Sequence, residues 1–314
     1  MRRSVTRGIA AMAAAMIFAC LALALGGTPG DEALPSGGET NQQPIMLRMA
    51  ESLPENHPSA KSAALFAQLV EERSGGRIRI KVYYGARLGS PEEVLEQMQF
   101  GGIALAGLSA LDLTELNISL RKMFAPEAYE DEEEQTQWIG NHREELSDIC
   151  APYHIIPLVW YDPDFRCFYS NKAEVAGARS LNGSRVQTES VKMMEDILGG
   201  WGAEAVGHTS LEPYKFLNAE DIDCAESAFG EFLCGDYADY CRYVTLNRDI
   251  FFPDVLVINR EYLEALGTED RNLVKVCAEA TYEYQRVQMK QLYDQWEEKL
   301  RVDPDILLRE GDFR

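Results

Sequence analysis

One arginine in a short turn-and-strand segment offers the clearest binding chemistry in this chain. Residues 178–188 have the sequence ARSLNGSRVQT, which places Arg185 after a glycine turn, on a short apolar-edged strand. A guanidinium is planar, permanently charged and carries a rigid fork of donors, so it can hold a carboxylate through two parallel hydrogen bonds. We therefore predict that Arg185 binds an anion. The alternative is an ordinary surface arginine.

No catalytic or metal-binding motif accompanies this arginine. The sequence contains no G-x-S-x-G, H-E-x-x-H or P-loop pattern, and its four histidines are far apart. Apart from Cys20, the cysteines form no C-x-x-C pair. In a chain of this length we expect them to be small buried residues, although an exported protein can also form disulfides. We predict a binding protein without metal or cofactor, and only a triad assembled in three dimensions would make it an enzyme.

Length and charge narrow the class of partner. The chain has 314 residues and is 46% hydrophobic, enough for a sizeable core in two domains or one large α/β unit. The formal net charge is -21 at pH 7, and such an acidic surface repels phosphate backbones, which argues against nucleic-acid binding. A small anionic ligand would need local positive charge in its site.

The first residues have the features of an export signal. Residues 1–27 combine a basic start with an apolar run, and residues 28–43 resemble a flexible tether. A membrane-spanning helix is the alternative for the apolar run. Residues 17–20 resemble the lipobox of bacterial lipoproteins, which would make Cys20 the lipidated residue, and cleavage after residues 22–24 is the other possibility.

The apolar pattern that follows predicts alternating strands and helices. Residues 46–50, 78–84 and 103–108 have strand patterns, and helices are predicted between them from Ser59 and from a capping box at Ser90. This β-α-β-α-β order is typical of a sheet covered by helices, in which ligands bind beyond the carboxyl ends of the strands.

The second half of the chain continues the alternation. A strand at 155–161 is expected to end in a turn at 162–164, and further elements are a helix at 189–198 and a strand at 255–258. A helix over 269–300 would be about 48 Å long, enough to cross two lobes.

A family resemblance rests on the order of these features. Residues 57–109 contain a His-Pro loop, an Ala-rich helix, Ser-Gly-Gly-Arg before a strand, Leu-Gly before a capped helix, and a glycine turn before a buried strand. This order resembles the N-terminal part of the DctP-type solute-binding subunits of tripartite ATP-independent periplasmic (TRAP) transporters.

Three later segments extend the resemblance. Residues 165–172 are similar to a family segment that leads from an arginine turn to Asn-Lys, and we match Arg185 to the family pattern D-L-x-G-x-K-x-R, whose usual lysine is absent here. Residues 210–227 are similar to a stretch that ends in Val-Asp-Gly-Gln-Glu-Asn. Cys224 replaces the glycine of that stretch, and Ser227 replaces its ligand-contacting asparagine.

The resemblance implies a two-lobed α/β fold of the type II periplasmic-binding-protein kind, with a hinge and a long helix that crosses both lobes. The first lobe would contain 44–163 and 253–290, and the second 164–252 and 291–314. It implies an extracytoplasmic protein, expected to be a monomer, whose lobes close on a small organic acid such as a dicarboxylate and which delivers this ligand to membrane permease subunits. A sensor, or a divergent lipoprotein that is not coupled to transport, remains the alternative.

The resemblance also implies ligand-binding residues. Arg185 would clamp the carboxylate and Arg166 would assist. The remaining positions are His57, Ser109, Glu127, Ser210, Glu226 and Ser227. Glu127 would be unfavourable beside an anion unless it pairs with Arg166 or with an amine of the ligand. We therefore expect a ligand with at least one carboxylate. A hydroxyl or ammonium group elsewhere on the ligand is compatible with this site.

Overall fold

The computed structural model describes residues 43–123, 125, 128–188, 191–207, 217, 220–235 and 237–313. The predicted signal, the tether up to residue 42 and Cys20 lie outside the described residues. The chain from Gln43 onward forms one compact unit. Within the described part, no helix is both long and apolar enough to cross a membrane.

The beginning of the fold confirms the predicted alternation. Its elements are β1 (Ile45–Glu51), α1 (Pro58–Arg73), β2 (Ile78–Tyr83), α2 (Pro91–Gln99) and β3 (Leu105–Ser109). Ser90 caps α2 as predicted: its hydroxyl accepts the Glu93 N–H, and the Glu93 side chain accepts the Ser90 N–H. This reciprocal pair satisfies two backbone donors at the start of the helix, which is why the local sequence was sufficient to locate it.

The later described elements are α3 (Ala110–Leu113), α4 (Ile118–Met123), α5 (Glu132–Asn141), α6 (Arg143–Cys150), β4 (Ile155–Ser170), β5 (Arg185–Thr188), α7 (Val191–Gly200), β6 (Glu204–Gly207), β7 (Cys224–Ala228), α8 (Phe229–Cys234), β8 (Tyr243–Asn259), α9 (Arg260–Ala265), α10 (Thr268–Glu279), α11 (Tyr282–Val302) and β9 (Leu307–Glu310).

The nine strands of the described residues belong to one mixed sheet in the order β2-β1-β3-β8-β4-β7-β5-β6, with β9 paired to β8. The long antiparallel strands β4 and β8 lie at its centre. One end of β8 pairs with β3 and the other end with β9. We call the part around β1, β2 and β3 the first lobe, and the part around β5, β6, β7 and β9 the second lobe. The two lobes therefore share two continuous strands, as a hinged α/β protein requires.

Two local predictions were wrong. The turn expected at 162–164 lies inside β4, where the register shifts between Trp160 and Pro163 and again between Phe165 and Arg166. Proline lacks an N–H and is tolerated at such irregular positions, so the strand continues. The helix expected over 269–300 is instead two helices that meet near Thr281, a buried residue whose hydroxyl donates to the Ala278 carbonyl.

The helix α11 nevertheless contacts both lobes. Near its start, the Gln285 amide donates to the Ser59 hydroxyl at the beginning of α1, at 3.3 Å. Near its end, Leu300 is buried in the core of the second lobe beside Phe165 and Phe232. All six cysteines of the described part are buried, as expected of small core residues.

Candidate functional site

The carboxyl ends of the parallel strands define where a ligand would bind. In the first lobe, β1 ends at Glu51 and β3 at Ser109, and in the second lobe β5 ends at Thr188 and β7 at Ala228. Ligands of open α/β sheets lie in the crevice outside these ends. We refer to the region between the two sets of strand ends as the crevice.

A buried ion pair lies at the second-lobe side of the crevice. The Arg166 Nε donates to Glu226 Oε2 at 2.7 Å, and Arg166 Nη2 is 2.6 Å from the same oxygen. Both side chains are buried, and the Thr188 hydroxyl donates to the other oxygen of Glu226. Charges removed from water are stable only when they are paired and hydrogen-bonded. The network therefore holds a guanidinium in a fixed orientation at the ends of β5 and β7.

Arg185 does not lie at the crevice, contrary to the prediction made from the sequence. It is the first residue of β5, about 10 Å along the strand from Thr188. Its side chain is 38% exposed, with Nη1 at 2.9 Å from Asp221 Oδ2 and Nε at 3.2 Å from Glu204 Oε2. Because only the carboxyl end of a parallel strand faces the crevice, Arg185 is at the opposite end, and it already forms ion pairs with two carboxylates. The structure does not bring it together with Arg166.

The register of the family pattern explains this misplacement. Counting G-x-K-x-R from Gly183 puts the lysine position at Arg185 and the arginine position at Gln187. Gln187 is 4% exposed and lies two residues further along β5, which is the same face of the strand nearer to the crevice. The spacing of the pattern was the signal that could have identified it.

The other predicted residues divide between the two lobes. Ser227 is buried on β7 next to Glu226, and its hydroxyl donates to the Ala228 carbonyl at 3.1 Å. Ser109 caps α3 by accepting the Leu111 N–H at 3.2 Å. Ser210 and Glu127 lie outside the described residues.

His57 occupies the cap of α1 in the first lobe. Its Nδ1 accepts the Ser59 N–H at 3.2 Å, so a neutral ring carries its proton on Nε2. Burial lowers the pKa of His57 to about 3, and the nearby Lys61 adds to this effect. No described group bonds to Nε2.

The first-lobe side of the crevice contains two carboxyl groups that no sequence pattern indicated. Glu51, at the end of β1, accepts the Leu53 N–H at 3.1 Å. Burial, with a smaller contribution from the neighbouring Asp254, raises the pKa of Glu51 to about 8, although the Leu53 N–H that it accepts opposes the shift. Asp254 lies opposite Ser109 on β8 and accepts the Ser59 hydroxyl at 2.5 Å. Single acidic residues within strand patterns have no spacing signature, so only the fold reveals that they are neighbours.

The lobes touch on one side of the crevice through the start of α1. The Asn56 side chain donates to the Cys234 carbonyl at the end of α8, at 3.0 Å. Asp164, between the lobes on β4, accepts the Gly230 N–H at 2.9 Å, and burial raises the pKa of Asp164 to about 7.

The lobes also touch on another side, through α4 and α7. Met193 of α7 is buried in a cluster formed mainly by first-lobe residues. Arg121 Nη1 of α4 lies 3.1 Å from Asp196 Oδ2 of α7. The two lobes are therefore in direct contact on two sides, which is the arrangement expected of closed lobes.

Comparison with known proteins gives a consistent match. The model of a family described as "Bacterial extracellular solute-binding protein, family 7" matches residues 49–308. A protein of Salmonella typhimurium, YiiZ, described as uncharacterized, is 27% identical over 278 residues, which is 85% of this chain and 79% of that protein.

Two solved structures show the same fold. A TRAP periplasmic solute-binding protein from Pseudomonas putida, solved with D-glucuronate, has a TM-score of 0.79 and 22% identity, covering 85% of this chain and 88% of that one. A Sulfitobacter protein of the same description, solved with β-D-galacturonate, has a TM-score of 0.79 and 18% identity, covering 85% and 89%. These likenesses confirm the predicted two-lobed type II fold.

Proposed function

The chain belongs to family 7 of the bacterial extracellular solute-binding proteins, and on this basis we propose that it captures a small organic acid by lobe closure and delivers it to the membrane permease of a TRAP transporter. The protein acts outside the cytoplasm and catalyses no reaction. Export by residues 1–27 and anchoring through Cys20 are part of this proposal.

The observation that carries the proposal is the buried Arg166–Glu226 pair. Arg166 is the only buried arginine or lysine among the described residues, and it lies at the strand ends of the second lobe. Glu226 holds the Nε–Nη2 edge and so fixes the guanidinium plane. A guanidinium that is already oriented loses little freedom when a carboxylate binds.

Arg166 alone does not supply the full affinity. A hydrogen bond to a charged group contributes about 1.5 to 3 kcal/mol, whereas micromolar binding corresponds to about 8 kcal/mol. The remainder comes from contacts made when the lobes close and exclude water, which strengthens the charged interaction. The relatives solved with uronates support an acid as the ligand, and sugar acids are the first candidates.

A melting-temperature screen tests this function. We expect D-glucuronate, D-galacturonate, D-gluconate or a related acid to raise the melting temperature of the wild-type protein. The double variant Arg166→Gln/Glu226→Gln removes both buried charges without leaving one unpaired, and it should bind the acid at least about tenfold more weakly.

Arg185→Gln is the matched control, since Arg185 lies at the far end of β5, and it should keep wild-type affinity. Loss of binding in Arg185→Gln with retention in the double variant would contradict the site. Stabilisation by neutral sugars alone would contradict the function.

A further inference from the structure

The polar groups at the crevice do not suit a ligand with two negative groups. In the second lobe, the charge of Arg166 is balanced by Glu226. Gln187 stands where the family pattern D-L-x-G-x-K-x-R has its arginine, and its side chain is a neutral amide. In the first lobe, Glu51 and Asp254 add two carboxyl groups. The described part of the crevice therefore has more carboxyl groups than cations before any ligand binds.

The first-lobe side is also rich in acceptor oxygens. Glu51, Ser59, Tyr161 and Asp254 line a cavity of about 10 Å³, the size of a single water molecule, whose other lining residues are apolar. The Ser59 hydroxyl already donates to Asp254 and receives the Gln285 amide.

Gln285 adds a further acceptor to this network. It is 1% exposed, and its carbonyl oxygen has no hydrogen-bond donor among the described residues. A buried acceptor without a donor costs free energy, and the Ser59 hydroxyl links this side chain to Asp254 at the cavity.

We propose that the ligand carries one carboxylate, directed to Arg166, and a second group that donates hydrogen bonds, preferably an ammonium, directed to Glu51 and Asp254. This proposal rests on the proposed function and specifies its ligand class. A second carboxylate at this place would lie against the carboxyl groups of Glu51 and Asp254, whereas an ammonium can donate hydrogen bonds to both. The site thus prefers zwitterions and hydroxy acids to dicarboxylates.

Acids that differ in one group test this preference. Isothermal titration at pH 7 would compare 4-aminobutyrate, 4-hydroxybutyrate and succinate, and separately D-glucosaminate, D-gluconate and D-glucarate. One of the two series will bind more tightly overall. Within that series we expect the amino acid to bind most tightly and the dicarboxylate to bind at least about tenfold more weakly than the amino acid. Tightest binding of succinate or D-glucarate would overturn the proposal while leaving the proposed function intact. Binding of none of these acids, nor of any uronate, would instead refute the proposed function.

Glu51 variants link the preference to the residue. In Glu51→Gln the advantage of the amine over the hydroxy acid should shrink several-fold, because an amide cannot take the negative charge that pairs with an ammonium. Glu96→Gln, on the exposed face of α2, is the matched control and should leave both affinities unchanged. An unchanged advantage in Glu51→Gln would contradict the assignment.

Proton release provides a measurement that needs no variant. Because Glu51 is largely protonated at pH 7 when no cation is near it, binding of an amine should release protons and binding of the hydroxy acid should not. Binding enthalpies measured in buffers of different ionisation enthalpy would show this difference. Equal proton release by both ligands would contradict a role for Glu51.

Discussion

At the scale of single residues, position along a strand decides what an arginine can do. Arg166 and Arg185 are chemically identical, but one lies buried at strand ends and the other half-exposed at a strand start. An exposed ion pair contributes about 0 to 1 kcal/mol, whereas removing one partner of a buried pair costs about 3 to 5 kcal/mol. Of these two arginines, only Arg166 has a guanidinium that is held in one orientation and whose removal would cost several kcal/mol.

Buried carboxyl groups make the stability of the protein depend on pH. The pKa values of Glu51 and Asp164 are raised by burial to about 8 and about 7, above their ordinary values of 4.5 and 3.8. At a pH between the ordinary pKa of each group and its raised pKa, the folded protein binds more protons than the unfolded chain. The free energy of unfolding therefore falls as pH rises through this range. Urea unfolding without ligand should show a loss from pH 6 to pH 9 with a slope of up to about 1.4 kcal/mol per pH unit for each group.

Glu51→Gln should flatten the part of this decline near pH 8, because the amide does not titrate. Glu96→Gln should leave the profile unchanged. A free energy of unfolding that stays constant or rises between pH 6 and pH 9 would contradict the burial of these protons.

At the scale of elements, the contact between α8 and the start of α1 depends on one glycine. A Cβ on Gly230 would lie 2.8 Å from both Asp164 Oδ2 and His57 Nε2, and 3.0 Å from Met289 Cε. These atoms come from the strand β4, the cap of α1 and the helix α11, so an added methyl group has no single flexible neighbour to displace. The absence of a side chain at Gly230 thus allows three elements of both lobes to meet.

Gly230→Ala tests this contact. We expect a loss of about 1 to 3 kcal/mol in the free energy of unfolding and weaker ligand binding, because the closed arrangement must separate to admit the methyl group. Gly140→Ala in α5 is the matched control: nothing lies within 4 Å of its Cβ, and alanine favours a helix. If Gly230→Ala left the free energy of unfolding and the ligand affinity unchanged, the close contact of α8 with the start of α1 would not be needed for stability or binding.

At the scale of the whole molecule, two continuous strands join the lobes and polar contacts hold them together. The ion pair between Arg121 and Asp196 connects α4 of the first lobe to α7 of the second at 3.1 Å, with exposed fractions of 25% and 65%. Because the partners belong to different lobes, their attraction exists only while the lobes are closed. Such an exposed pair affects the lifetime of the closed state more than the stability of either lobe.

Asp196→Asn should therefore accelerate ligand release by about twofold to fivefold, with little change in melting temperature without ligand. Stopped-flow displacement at low and high salt would measure the effect, which should diminish as salt screens the wild-type pair. Glu279→Gln is the control, since its pair with Arg143 lies within the first lobe. Equal release rates in the wild type and Asp196→Asn would exclude a role in closure.

The early β-α-β-α-β order, the capped start of α2 and the family resemblance could all be predicted from the sequence. These features depend on apolar periodicity and on residues three or four positions apart, such as Ser90 and Glu93, so local chemistry specifies them. The spacing from Gly183 in the sequence also shows that Gln187 stands at the arginine position of the family pattern.

Which charged groups meet at the crevice follows from the folded sheet and not from any local pattern. Glu51 and Asp254 are about two hundred positions apart, and Arg166 meets Glu226 through the antiparallel pairing of β4 and β7. Strand polarity placed Arg185 at the far end of β5, and packing at Thr281 divided the long helix. Pairing and direction of distant strands arise from burial across the whole sheet, and no local pattern encodes them.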